Sequence, residues 1–172
     1  TTNGTKAIQL SEGALEIMAA GFVNLKATVA HCAKFEEDVL VHCAGWKDQF
    51  NIEDTLFAGA MVFHLEQHGF RCADDAGMAA KMLYEQTRDD LFGFLKNSSH
   101  YHRLVLARPA RVNPRLWGQH GASTTHPHSH AFGFRFFTVI LGPFVRQMGA
   151  STRFVGRYCS VCSLCHCLRA CA

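Results

Sequence analysis

The chain has 172 residues, of which 48% are apolar, so it is long enough to fold as one domain around a sizeable core. Its longest apolar run, residues 131–145, is interrupted by Arg135 and Pro143 and is too short to cross a bilayer. The start of the chain also lacks the pattern of a signal peptide. We therefore expect a cytoplasmic protein without a membrane partner.

The net charge of +3 is the average of two unlike parts. Residues 1–104 contain all 14 acidic residues, all the lysines and three arginines, which makes this part acidic. Residues 105–172 contain eight arginines, five of the eight cysteines, and no lysine or acidic residue. This change predicts a boundary between an α/β region over 1–104 and a separate tail, rich in Arg, Cys and His, over 105–172.

The first predicted element is a polar loop that leads into a helix. Residues 1–5 read Thr-Thr-Asn-Gly-Thr and precede an amphipathic segment that starts at Lys6. A helix N-terminus has unpaired N–H groups and partial positive charge, so it suits a bound phosphate or carboxylate. The same residue types are ordinary helix caps, and both interpretations stay open.

Two strands and a helix are predicted next. Residues 15–20, Leu-Glu-Ile-Met-Ala-Ala, are a short apolar run closed by Gly21, as expected of a buried parallel strand. Asn24 is predicted to cap a helix that reaches Cys32. Residues 38–45 contain the clearest strand, in which a Val-Leu-Val run leads into a Cys-Ala-Gly turn.

Three further helices are predicted over residues 52–68, 75–87 and 89–97, with Ser98, Ser99 and His100 at the end of the last one. Strands that alternate with helices indicate an α/β fold, here an incomplete, mostly parallel sheet flanked by helices. Ligands bind such sheets beyond the carboxyl ends of the strands. The segments 1–5, 21–24 and 43–54 are therefore expected to meet at one edge.

Four stretches within residues 1–104 read, in chain order, TTNGTKAI, GFVNLKATVA, DVLVHCAGWKDQFNIEDTLFAGAMV and SSHYHRL. Their order and spacing resemble the C-terminal half of the 2-phosphosulfolactate phosphatase family. The resemblance implies Mg2+-dependent hydrolysis of 2-phospho-3-sulfolactate to 3-sulfolactate and phosphate, a step towards coenzyme M or free sulfolactate. Because the family's N-terminal half has no counterpart here, we expect this chain to be inactive by itself.

The implied substrate is a small polyanion, which needs hydroxyl and N–H donors and a cation to offset its charge. The candidate donors are Thr2, Asn3, Gly4 and Thr5 as an oxyanion cradle, with Ala44 and Gly45 as accessible backbone beside it. The family pattern places Ser98 and His100 near the site as phosphate contacts, whereas by themselves they indicate a cap and a surface histidine. We expect no nucleic-acid partner, and self-association is left open.

Glu53 and Asp54 are the candidate catalytic and metal-binding carboxylates, since Mg2+ prefers carboxylates together with water and phosphate oxygens. The alternative is structural, because Asn51 can cap a helix whose first turn carries both acids and complements the helix dipole. Adjacent helical residues point about 100° apart, so we expect only one of the two carboxylates to face the site.

Cys43 suggests a second mechanism. His42 and Cys43 begin a segment that approaches the H-C-x5-R loop of cysteine-dependent phosphatases, but Gln49 stands where that loop has arginine. A neutral amide cannot form the charge-assisted clamp on phosphate. Cys43 is therefore interpreted first as a small residue at a strand end, and a catalytic Cys43 thiolate is one alternative. A non-catalytic anion-binding α/β module is the other.

The tail allows three interpretations. Its lack of lysine and acidic residues favours a frame-shifted translation that does not fold. The spacing C-x2-C-x2-C-x-C-x3-C from Cys159 to Cys171 allows a metal site, although it matches neither a ferredoxin nor a zinc pattern. Arginines interleaved with aromatic residues such as Trp117 and Phe134 allow a nucleic-acid-binding arm, although they form no periodic face.

Overall fold

The structure is a computed structural model that describes residues 2–11, 13–45, 49–107, 137–141 and 157–163. Its helices are α1 (Thr2–Leu10), α2 (Leu25–Cys32), α3 (Ile52–Glu66), α4 (Asp75–Thr87), α5 (Leu91–Leu95) and α6 (Ser99–Ala107). Its strands are β1 (Glu16–Ala20), β2 (Val39–Cys43), β3 (Phe70–Cys72), β4 (Phe137–Leu141) and β5 (Arg157–Ser163). Within these ranges, no helix combines the length and the apolar character that crossing a membrane requires.

The five described strands form one sheet in the order β1-β4-β2-β5-β3. β5 pairs parallel with β2 and β3, whereas β4 pairs antiparallel with β1 and β2. Four of these strands therefore run in one direction and β4 runs in the other, which confirms the predicted α/β class. The carboxyl ends of β1, β2 and β5 share one edge, the edge at which ligands bind in this class of fold.

The apolar core lies between the sheet and the helices α2, α3 and α4. Val39 and Val41 of β2 and Phe57 of α3 are fully buried in one cluster. α3 and α4 approach so closely at Gly59 that a Cβ there would overlap the carbonyl oxygen of Ala80. Full burial of a large apolar side chain stabilises a fold by about 1.5–3 kcal/mol. This packing therefore holds the start of α3 beside the carboxyl end of β2.

The beginning of the chain differs from the prediction. The sequence predicts a loop over residues 1–5, whereas α1 begins at Thr2. It also predicts a buried parallel strand over residues 15–20, whereas β1 is an edge strand that pairs antiparallel with β4. Leu15 and Ile17 are 62% and 37% exposed. A strand is buried on both faces only when neighbouring elements cover both faces. The local sequence does not show whether such elements are present.

The C-terminal segment contributes β4 and β5, which its composition did not indicate. Both strands are rich in β-branched, aromatic and apolar residues that favour extended structure. Two hydrogen bonds join β5 to the segment after β3: Ala73 N–H donates to the Cys159 carbonyl oxygen at 2.9 Å, and Val161 N–H donates to Asp74 Oδ2 at 3.1 Å. Most of residues 105–172 lies outside the described ranges, so the frame-shift and nucleic-acid interpretations stay predictions.

The cysteine motif of the tail is only partly described. Positions 159 and 162 belong to opposite faces of the sheet, because they are three residues apart on β5. Cys159 is fully buried, and its thiol donates to the carbonyl oxygen of Arg71 at 3.7 Å. Cys165, Cys167 and Cys171 lie outside the described residues. Among the residues that are described, no three His, Cys, Asp or Glu side chains are grouped to hold a metal ion.

Asp74 is expected to anchor both α4 and β5, because its Oδ1 accepts the Gly77 N–H at 2.6 Å and its Oδ2 accepts the Val161 N–H. Asp74→Ala should lower the free energy of unfolding by about 1–3 kcal/mol, measured by urea denaturation. It should also speed amide exchange at Val161, measured by NMR. Asp75→Ala, at an exposed neighbouring position, is the matched control and should change neither quantity much. Unchanged exchange at Val161 in Asp74→Ala would contradict the anchoring of β5.

Candidate active site

A tight turn links the carboxyl end of β2 to the approach to α3. Gly45 has a φ of 66°, in the left-handed region that favours glycine, and a Cβ there would lie 2.8 Å from the carbonyl oxygen of Gln49. The Gly45 N–H donates to Asp54 Oδ2 at 2.7 Å. The backbone of residues 43–45 is thereby held against the first turn of α3.

The first turn of α3 carries two buried carboxylates. Asn51 caps the helix, since its Oδ1 accepts the Glu53 N–H at 2.9 Å, so the capping interpretation is confirmed. Glu53 is 7% exposed and Asp54 is 1% exposed. Buried carboxylates are costly unless hydrogen bonds and nearby positive charge stabilise them, and the N-terminus of this 15-residue helix supplies partial positive charge.

Glu53 lies opposite a histidine from another helix. Glu53 Oε2 is 3.8 Å from His100 Nε2, and the two side chains are 10% and 17% exposed. His100 Nδ1 in turn is 3.4 Å from Arg103 Nη2. Ser98, which is buried, caps α6 by accepting the Tyr101 N–H at 3.0 Å. The sequence placed Ser98 and His100 at the end of a helix, whereas they stand at the start of α6 and bring His100 to Glu53.

The two carboxylates thus have different surroundings. Asp54 contacts the turn at Gly45, whereas Glu53 is directed towards His100. This agrees with the angle of about 100° between successive helical residues. Asp54 stabilises the backbone of the site, and Glu53 is the carboxylate better placed to act on a ligand between α3 and α6.

Cys43 is buried against α3 rather than presented to a ligand. It is 5% exposed, and its thiol donates to the backbone oxygen of Asp54 at 3.6 Å. Burial, with a smaller contribution from the negative charge of Asp54, raises the pKa of the Cys43 thiol well above its ordinary value. A cysteine nucleophile needs the opposite shift, so these surroundings argue against the thiolate mechanism.

The remaining candidate ligand residues are placed in two groups. Ala44 is buried and Gly45 half-buried in the turn itself. In α1, Gly4 is buried and Thr5 is exposed. The structure describes the backbone of Thr2 and Asn3 but not their side chains. α1 packs against β4, so the proposed cradle role of these four residues stays a prediction.

The turn after β1 also approaches α3. Asn24 Oδ1 accepts the Gly21 N–H at 2.7 Å and closes this turn. The ring of Phe22 packs edge-on against Phe57 with 5.5 Å between centroids. Phe57 lies one helical turn after Glu53, so the turn after β1 packs against the first half of α3.

Sequence reasoning missed Arg103 near this edge, and it did not predict the burial of His42. Arg103 was not singled out, although the H-x-x-R spacing places it beside His100 on one helix face. His42 is 3% exposed, and its Nε2 has no hydrogen-bond partner among the described residues. Burial lowers the pKa of His42, which favours its neutral form. On β2 it belongs to the face opposite Cys43, away from α3.

Comparison with known proteins identifies the family. A profile described as 2-phosphosulpholactate phosphatase matches residues 1–110. The chain belongs to the 2-phosphosulfolactate phosphatase family. The resemblance carried by the four sequence stretches is therefore confirmed. No solved structure matches the chain.

Relatives in this family are named "Probable 2-phosphosulfolactate phosphatase". One from Synechococcus sp. (strain JA-2-3B'a(2-13)) is 40% identical over 107 residues, which cover 61% of this chain and 44% of the relative. One from Thermotoga petrophila is 39% identical over 105 residues, which cover 61% of this chain and 44% of the relative. The chain thus spans less than half the length of these relatives.

The burial of Cys43 predicts slow reaction with thiol reagents. In the native chain at pH 8, iodoacetamide should modify Cys72 well before Cys43, because burial raises the pKa of both thiols but only Cys72 is partly exposed to the reagent. Trypsin separates the two sites into peptides 35–47 and 72–81, so mass spectrometry measures each rate. Denatured chain, in which both sites should react, is the control. Faster labelling of Cys43 than of Cys72 in the native chain would restore the thiolate mechanism.

Proposed function

We propose that this chain forms one side of the active site of a phosphatase that hydrolyses 2-phospho-3-sulfolactate to 3-sulfolactate and phosphate. The observation that carries the proposal is the approach of Glu53 to His100 beside the turn at Gly45, within the residues that match the family. The names of the relatives support the substrate. In this proposal the enzyme acts in the cytoplasm, and its product is free sulfolactate or a precursor of coenzyme M.

The carboxylates of α3 suit Mg2+ as the cofactor. Mg2+ keeps several waters and binds through one or two carboxylates and substrate phosphate oxygens, rather than in an all-protein cage. Glu53 and Asp54, in the first turn of α3, would supply at most two such carboxylates. Glu53 would be the main ligand, because Asp54 already accepts the Gly45 N–H. When bound, Mg2+ would offset phosphate charge and polarise the phosphoryl group.

The other residues of the site bind and orient the ester. The N-terminus of α3, with its partial positive charge, favours an anion at this edge. His100 lies close enough to Glu53 to contact a phosphoryl oxygen held there, and Ser98 fixes the start of its helix. Residues 2–5 would add hydroxyl and N–H donors. Such positioning supports in-line attack by water on phosphorus while the sulfolactate oxygen leaves.

A chimeric enzyme tests the proposal. The matching 107 residues of the Synechococcus relative are replaced by those of this chain, and phosphate release from 2-phospho-3-sulfolactate is measured with Mg2+. We expect turnover in the chimera. Glu53→Gln should lower kcat at least about 100-fold, as for other groups that stabilise transition-state charge. Glu36→Gln, at an exposed position remote from the turn, is the control and should retain kcat.

Three outcomes are informative. Full activity of the Glu53→Gln chimera would contradict the assignment of Glu53. A folded chimera that binds 3-sulfolactate but releases no phosphate, while the unmodified relative is active, would favour the non-catalytic anion-binding module. Turnover that persists after removal of divalent cations with EDTA would contradict the proposed Mg2+ dependence.

A further inference from the structure

We propose that Arg103 is a positioning residue that holds the imidazole of His100 with its proton on Nε2, so that an N–H, rather than a lone pair, faces Glu53 and the ligand. The tautomer follows from the contacts of the three side chains. Its effect on hydrolysis rests on the proposed function.

The contact between Arg103 and His100 determines which ring nitrogen accepts a hydrogen bond. Arg103 Nη2 lies 3.4 Å from His100 Nδ1, and Arg103 Nη1 donates to Ser99 Oγ at 3.4 Å. A guanidinium group carries donors and no acceptor. Nδ1 must therefore accept in this contact. A neutral imidazole has one donor and one acceptor, so the proton is on Nε2.

The opposite side of the ring leads to the same tautomer. Nε2 faces Glu53 Oε2 at 3.8 Å, and an ionised carboxylate only accepts hydrogen bonds. At 3.8 Å the approach of Glu53 is electrostatic rather than a hydrogen bond, and it favours the same tautomer of neutral His100 as the donor at Nδ1 does. The partial burial of His100 and Glu53 strengthens both preferences, because the local dielectric constant is lower than in water.

The tautomer also determines what His100 can bind. A metal ion needs a nitrogen lone pair, whereas an anion needs an N–H group. With its proton on Nε2, His100 presents a donor beside Glu53. It therefore suits a phosphoryl, sulfonate or carboxylate oxygen of the substrate, and it leaves the cation to the carboxylates of α3. Arg103 acts through His100 in this role and does not itself contact the ester.

The first measurement needs no enzymatic activity. Long-range 1H–15N correlation spectra of the full 172-residue chain report the protonation of each imidazole nitrogen, and His100→Gln identifies the His100 signals. In the unmodified chain we expect the Nε2–H tautomer. In Glu53→Gln, whose amide accepts and donates, Arg103 alone should keep that tautomer. In Glu53→Gln with Arg103→Met, the share of the Nε2–H tautomer should fall.

Matched variants keep this result specific. Arg103→Lys retains a donor and should restore much of the Nε2–H tautomer in the Glu53→Gln background. Arg71→Met, at an exposed position on β3, removes an arginine elsewhere and should leave the His100 signals unchanged. An Nδ1–H tautomer in the unmodified chain, or mixed signals already in Glu53→Gln alone, would overturn the proposal.

The second measurement uses the active chimera. Arg103→Met should lower kcat about 10–100-fold, by analogy with the residues that orient metal-binding histidines, with a smaller change in KM. Arg103→Lys should recover part of kcat. If the chimera has no activity, the tautomer result still decides the role of Arg103. If the tautomer is as expected but kcat is unchanged in Arg103→Met, the positioning role in the reaction is wrong while the proposed function stands.

Discussion

The hydrogen bond from the Gly45 N–H to Asp54 Oδ2 is the contact on which the site depends. It joins the end of β2 to the first turn of α3, and it is short at 2.7 Å because the acceptor is a carboxylate. The left-handed conformation of Gly45 directs this N–H inwards, and any side chain there would meet the backbone of Gln49. One contact therefore stabilises a buried charge and sets the distance between the strand end and the helix that carries Glu53.

Asp54 fixes the first turn of α3, and the neighbouring carboxylate of Glu53 can therefore take a different role. Glu53 is directed to α6, where a carboxylate, an imidazole and a guanidinium follow one another as Glu53, His100 and Arg103. The carboxylate and the guanidinium carry opposite charges, and the neutral imidazole lies between them. In a partly buried setting these groups stabilise each other, so no isolated charge is buried. The arrangement brings an imidazole and a carboxylate from two different helices to within 3.8 Å of each other.

Local signals in the sequence predicted the elements that carry the site. β2, α3 and α4 lie where a Val-Leu-Val run, the Asn51 cap and the helix predicted over residues 75–87 indicated them, because these signals are determined by neighbouring residues. The start of α1, the exposure of β1 and the three-residue β3 were not predictable in this way, since they depend on distant packing. Glu53 and Asp54 were found as a pair, but only the tertiary structure separates their roles. Arg103 becomes informative only when α6 reaches α3.

The position of β2 shows why the site needs residues far along the chain. Val39 and Val41 are fully buried, which a strand achieves only with neighbours on both sides and helices above it. Those neighbours are β4 and β5, from the segment whose composition predicted no fold. β5 is held by Ala73 and Asp74 at the start of α4, and α4 packs on α3 at Gly59. Loss of β5 would therefore expose β2 and loosen the helix pair that positions Glu53. The geometry of the candidate site thus depends on the order of the strands in the sheet as well as on the turn at Gly45.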